Sequence, residues 1–187
     1  MTYKTIVQKS LIGVAVLGLL VFLHIFALSS DAIRSAVSSF GFLGIFVVAV
    51  LSGFNLLVPI PAIGFAPLYQ ELGFSLFSIV IVTSIGMVVG DGIGFVLGIF
   101  GRGMVKDNKG GKILAYMTVL QKKHRLFPYT FLLLYGAFIP LPNELLVIPM
   151  AFVGYSFFPI AVALFFGNIV FNILGAFGIQ SVVALFL

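Results

Sequence analysis

In the apolar run from Tyr129 to Phe152 the single charged side chain is Glu144. It closes the stretch Phe138-Ile139-Pro140-Leu141-Pro142-Asn143-Glu144, a Pro-x-Pro break followed by an amide and a carboxyl group. A second carboxyl group, Asp91, and another amide, Asn172, lie in separate apolar runs. Ionisable groups in such surroundings are costly and mark paths for ions, protons or polar substrates. An amide donates and accepts hydrogen bonds, and a carboxyl group binds and releases a proton. The chemistry these residues offer is reversible binding, with Glu144, Asn143, Asp91 and Asn172 as the substrate or proton site. The alternative is structural: Glu144 and Asp91 each accept hydrogen bonds from backbone amides freed at the breaks. Bond-making chemistry has no candidate. The two histidines, His24 and His124, are far apart, there is no cysteine, and no Ser-His-Asp set, metal-ligand cluster or phosphate loop is visible. No enzyme activity, cofactor or metal is expected.

Of the 187 residues, 61% are hydrophobic and 8% charged. Soluble domains carry roughly 25% charged residues, so the composition points to an integral membrane protein, read as one domain over 1–187. Spanning segments must satisfy their own backbone hydrogen bonds, and the long apolar runs suit helices. The net charge of +5 does not mark a nucleic-acid binder, because seven of the ten Lys and Arg fall in 101–126. Arg102 and Lys106 open that basic segment, and Lys4 and Lys9 precede the first apolar run. Clustering beside spans follows the positive-inside rule, so the N-terminus and the basic loop are expected to be cytoplasmic, in the inner or plasma membrane. The loop can also attract anionic lipids, and its Lys112–Arg125 part suits an amphipathic helix.

Along the chain, 11–28 reads as an N-terminal transmembrane helix, retained rather than removed as a signal peptide. Repeat 1 covers 38–100, with a break at Pro59-Ile60-Pro61 and a long helix over 74–100. The basic cytoplasmic loop is 101–126, and repeat 2 is 127–187, with its break at Pro140 and Pro142. Proline removes a backbone donor and interrupts a helix, so each break predicts the tip of a hairpin. Gly86, Gly90, Gly94 and Gly98 recur every four residues, a stripe on one face that admits a close neighbour. The run Gly90-Asp91-Gly92-Ile93-Gly94 superficially suggests a dinucleotide loop, but no strand–helix–strand context surrounds it.

Sliding the chain along itself until Pro59 meets Pro140 brings Pro61 onto Pro142, Gly73 onto Gly154, Gly86 onto Gly167, Gly94 onto Gly175 and Asp91 onto Asn172. Topology gives a second argument. The long helix 74–100 must end inside, at the basic loop, so segment 38–73 leaves from and returns to the outside, as a hairpin or two short spans. Segment 127–153 leaves from and returns to the inside. Each repeat is then a re-entrant hairpin plus one crossing, and the two copies are inverted, a plan that places sites near the midplane. The fold expected is all-α and polytopic: an inverted repeat of hairpin and transmembrane helix behind an extra N-terminal helix.

Over about 40–180 the chain resembles the DedA superfamily, also called VTT or SNARE-associated membrane proteins. The resemblance is carried by Gly94-Phe95-Val96-Leu97-Gly98-Ile99-Phe100-Gly101-Arg102, a glycine-rich helix end, and by Phe138-Ile139-Pro140 with Gly154 and Phe158 after it. Family members usually have a Glu where this chain has Ile63, and arginines where it has Ala137 and Asn143. Glu144 holds the position matching Ile63 in the other repeat, and the chain looks like a divergent member. The resemblance implies two opposed membrane-embedded hairpins and movement of lipids, phospholipid or polyprenyl phosphate, between leaflets, with a proton link. The expected function is therefore a lipid transporter or scramblase, with membrane lipids and protons as partners. A proton- or ion-coupled exporter of small solutes, or a structural membrane subunit without transport, are the alternatives.

Overall fold

The chain folds by pairing long apolar helices with short broken ones. The structure, a computed structural model, describes residues 35, 39–54, 62–104 and 126–186, with side chains up to 101 and 178 in the two long helices. The expected N-terminal helix 11–28, the first tip with Pro59 and Pro61, and the basic residues 105–125, Lys106 among them, lie outside the described residues. Arg102 falls within a described helix, as backbone only. Among the described residues there is helix and no strand.

Among the described residues six α-helices follow one another: α1 (Phe42–Gly53), α2 (Ala66–Glu71), α3 (Leu76–Met104), α4 (Phe127–Phe138), α5 (Glu144–Val153) and α6 (Phe157–Phe186). A 3₁₀ turn, Ala62–Phe65, leads into α2. Two segments, Leu76–Gly101 in α3 and Phe157–Gly178 in α6, are long and apolar enough to cross a membrane. The other helices are much shorter. At 1.5 Å per residue, the 12 residues of α4 reach about 18 Å.

The repeat spacing reappears in the coordinates. The offset that carries Pro59 onto Pro140 also carries Leu76, the start of α3, onto Phe157, the start of α6. Before each lies a glycine in the left-handed region, Gly73 at φ 91° and Gly154 at φ 100°. Glycine adopts that conformation without the Cβ penalty, and it closes both short helices in the same way. Gly73 N–H donates to Gln70 O and Phe74 N–H to Tyr69 O; Gly154 N–H donates to Ala151 O and Tyr155 N–H to Met150 O, each at 3.0 Å. Both bonds of the first turn have their counterparts at the matching positions of the second repeat.

Contacts fix the helix directions. The rings of Phe95 and Phe157 lie 5.0 Å apart, so the start of α6 meets the later part of α3. Further along α6, Asn172 reaches back to Ser84 and Met87. The two long helices are therefore antiparallel. Helix α4 runs with α6: Tyr129 stacks edge-on with Tyr155, and Gly167 abuts Leu133 and Ala137. Helix α5 runs with α3, since Gly94, Gly98 and Gly101 meet Glu144, Ile148 and Phe152 in that order. Hence α4 and α5 form a hairpin that turns at 139–143. In the first half α1 runs with α3, and the 3₁₀ turn with α2 returns toward Gly73. The Ala62 N–H donates to Ser52 Oγ at 2.9 Å and ties the two arms together.

The glycine stripe does more than present one face. Positions four apart drift by about 40° per step on a helix of 3.6 residues per turn. Gly86 and Gly90 accordingly face α1, where a Cβ would strike Ala49, Val50 and Gly53, while Gly94 and Gly98 face α5. The stripe winds from one partner to the next. The first arms also depart from the repeat register. Gly86 meets Phe46–Val50 and Gly167 meets Leu133–Ala137, six residues, or nearly two turns, further along the arm.

Two apolar clusters hold the halves. One joins Phe95 with Leu132, Val147, Tyr155, Ile160 and Leu164; the other joins Ile45, Ile63, Tyr69, Ile79 and Ala176. Each cluster mixes residues of both repeats. The outside is unusually apolar: Phe77 is 76% exposed and its counterpart Phe158 78%, with Phe100, Phe127 and Phe138 also exposed. The buried set, by contrast, includes Ser52, Thr83, Ser84, Asp91, Asn143, Glu144, Asn168 and Asn172.

Candidate functional site

The second hairpin ends its turn inside the protein. Leu146 and Val147 N–H both donate to the Asn143 carbonyl at 2.9 Å, which starts α5 and places Asn143 at its N-cap. The Asn143 side chain makes no cap bond of its own and is free to reach across. Its Nδ2 donates to Asp91 Oδ2 on α3 at 3.2 Å and to Asn168 Oδ1 on α6 at 3.3 Å. One amide thus joins three elements: the break of the second hairpin and both long helices.

Glu144 follows in the first turn of α5, fully buried. A carboxylate is favoured at a helix N-terminus, where backbone N–H groups point outward along the axis. Its side chain lies over Gly94, where an added Cβ would come within 2.9 Å of Glu144 Cγ. The missing side chain at Gly94 makes the room that lets Glu144 sit between α5 and α3. Glu144 is also near enough to Asp91 for the two carboxyl groups to interact electrostatically. The dyad-related contact exists in apolar form: Ile63, the first-repeat counterpart of Glu144, packs against Gly175, the second-repeat counterpart of Gly94. This exchange of contacts, first repeat on second and second on first, is what a two-fold relation produces.

A turn away along the α3–α6 seam, Asn172 Nδ2 donates to Ser84 Oγ at 3.0 Å and lies 3.7 Å from Met87 Sδ. Asp91, Glu144, Asn172, Ser84 and Thr83 are each 0% exposed. The cluster is therefore a buried polar row inside an apolar shell. Buried polar groups need hydrogen-bond partners, each unmet one costing about 1–3 kcal/mol, so these side chains must hold one another in fixed geometry or receive a ligand.

Of the residues singled out in the sequence, the fold brings Asp91, Asn143 and Glu144 together and sets Asn172 beside them. Asp91 Oδ2 is met by the Asn143 side chain rather than by a freed backbone amide. Pro142 borders the site, its carbonyl accepting from Tyr135 Oη at 3.2 Å. Pro140 lies in the same turn and is exposed with Ile139 and Leu141. These residues offer no side-chain polar atom, and burial of the tip serves its amide and carboxyl groups. The site also contains Asn168 and Ser84, which carry no charge and flank no proline. Their spacing carried a signal. Asn168 and Asn172 are four apart, and Ser84 and Asp91 seven apart, so each pair shares a helix face.

No protein-family model, curated protein or solved structure matches the chain. Among the described residues no group of three or more His, Asp or Glu is placed to hold a metal ion.

Proposed function

We propose that the chain is an integral membrane transporter or scramblase. It moves a lipid, phospholipid or polyprenyl phosphate, across the bilayer through two opposed re-entrant hairpins, coupled to protons. One observation carries this reading: the tip of a half-length hairpin delivers Asn143 and Glu144, both buried, to Asp91 on an antiparallel long helix. A helix of about 18 Å falls short of the hydrocarbon thickness of about 30 Å, so a chain that reverses at 139–143 turns within the membrane. Long helices of opposite direction give the halves opposite orientations, the arrangement of transporters built from inverted repeats. The apolar exterior, with Phe77 and Phe158 most exposed, suits acyl chains. In this reading the N-terminus is cytoplasmic, the hairpins enter from opposite faces, and the resemblance to DedA proteins supplies the lipid as cargo.

The test is reconstitution in liposomes with fluorescent phospholipid. External dithionite bleaches the inner-leaflet label in vesicles that scramble. Glu144→Gln is expected to slow bleaching by about tenfold, the factor that corresponds to ~1.4 kcal/mol. Vesicles in which half the label stays protected, whatever the protein content, rule out lipid scrambling. One observation favours the second reading, a proton- or ion-coupled exporter of small solutes: the polar row of carboxyl and amide groups is buried away from the apolar exterior. Uptake driven by a pH gradient in the same vesicles distinguishes it.

A further inference from the structure

The hydrogen bonds of the α3–α6 seam leave acceptors over. Asp91 Oδ1 and Asn172 Oδ1 have no hydrogen-bond partner among the described residues, and both residues are fully buried. Their other atoms are engaged, Asp91 Oδ2 by Asn143 and Asn172 Nδ2 by Ser84. Both side chains are thereby held in the seam, one from each long helix. Unmet buried acceptors are rare in native proteins and call for a specific occupant.

The type of leftover atom selects the occupant. A proton satisfies a carboxyl oxygen but not an amide oxygen. A water satisfies both, yet leaves the charge of two adjacent carboxyl groups unbalanced. A hard cation takes oxygen ligands of both kinds and offsets part of that charge. Asp91 and Asn172 stand about one turn apart on the two long helices of the seam. Asp91 connects through Asn143 to Asn168, one turn before Asn172, and Asn172 meets Met87, one turn before Asp91. Calcium takes about six to eight oxygen ligands and zinc favours nitrogen and sulfur, and no third acidic or imidazole ligand stands near among the described residues. The C-terminal end of α4 adds the negative pole of a half-length helix: Gly136, in its last turn, lies beside Asn143 and Asn168. The C-terminal ends of such half-helices are where transporters with broken helices coordinate sodium.

We propose that a sodium ion binds in the α3–α6 seam between Asp91 and Asn172, with Glu144 as the second acidic group. Its use as a coupling ion rests on the transporter reading above; its binding does not.

The experiment uses the full chain in detergent. Thermal unfolding is followed by circular dichroism while sodium, potassium or choline chloride is titrated at constant ionic strength. Sodium is expected to raise the midpoint saturably, and potassium and choline to leave it in place. Asp91→Asn and Asn172→Ala are each expected to weaken the apparent sodium affinity at least tenfold. Direct binding of radioactive sodium to the parent protein, displaced by unlabelled sodium, keeps the proposal testable should either variant fail to fold. Equal response to all three salts, a response to calcium instead, or sodium binding unaffected by both substitutions would overturn it. Protein that scrambles lipid with no sodium response removes the ion site and leaves the transporter standing. Protein that binds sodium but moves no lipid does the reverse.

Discussion

Replacing Asn143 by Ala removes the one amide that bridges the hairpin tip to both long helices. Two hydrogen bonds are lost, at 3.2 Å to Asp91 and 3.3 Å to Asn168. Asp91 Oδ2 and Asn168 Oδ1 are then left buried without that donor, at about 1–3 kcal/mol each. Both distances lie at the long end of the hydrogen-bond range, so the lower half of that interval applies, and the sum is about 2–4 kcal/mol. At roughly 2–4 °C per kcal/mol for a chain of this size, the midpoint should fall by about 4–16 °C. Thermal circular dichroism in detergent measures it. A paired control tests whether the bond itself is responsible. Asn143→Asp alone places a third carboxyl group against Asp91 and should be worse than Ala. Adding Asp91→Asn restores an amide–carboxyl pair with the roles exchanged and should recover part of the loss, a coupling on the order of 0.5–3 kcal/mol. If Asn143→Ala melts within a degree of the parent, or the double variant shows only the sum of its singles, the bridge is not what holds the tip in place.

Three further outcomes follow from the packing. Gly98→Ala puts a methyl group 2.5 Å from the Ile148 carbonyl oxygen and 2.7 Å from Ala151 Cβ, so α5 must move away from α3; overpacking of this kind costs about 1–3 kcal/mol. Gly178→Ala meets nothing within 4 Å and should melt at or above the parent temperature, so equal melting of the two variants would refute the close approach. Gly73→Ala also has open space, but at φ 91° the cost is backbone alone, about 1–2 kcal/mol in unfolding experiments. Ser52→Ala removes the acceptor of the buried Ala62 N–H, and hydrogen exchange at that amide should speed up by about tenfold or more, as ~1.4 kcal/mol of lost protection implies.

Much of the architecture could be read in the chain because its causes are local. Pro140 and Pro142 end α4, and no distant residue is needed to explain why. Gly73 and Gly154 close short helices through their own backbone freedom, so the repeat spacing survives intact into the coordinates. Two long apolar runs become the two long helices because length and hydropathy suffice. The burial of Glu144 also follows from composition, since an acidic residue among apolar ones finds its polar partners inside.

Partnership was decided elsewhere. The sequence marks Gly86 to Gly98 as a stripe of small residues but cannot say that α1 takes its first half and α5 its second. That division arises from helical drift combined with where the second hairpin docks. The spacing that sets Asn168 on the face of Asn172, and Ser84 on the face of Asp91, does not say that the two faces meet. Asn143 meets Asn168 only because α3 and α6 lie antiparallel, and their register is fixed by the packing of Phe95 on Phe157 and of Ile63 on Gly175. The chain by itself determined which residues must be sheltered. The tertiary structure alone determined which shelter one another, because side-chain contacts between distant segments depend on helix direction and register, and only packing across the whole molecule sets those.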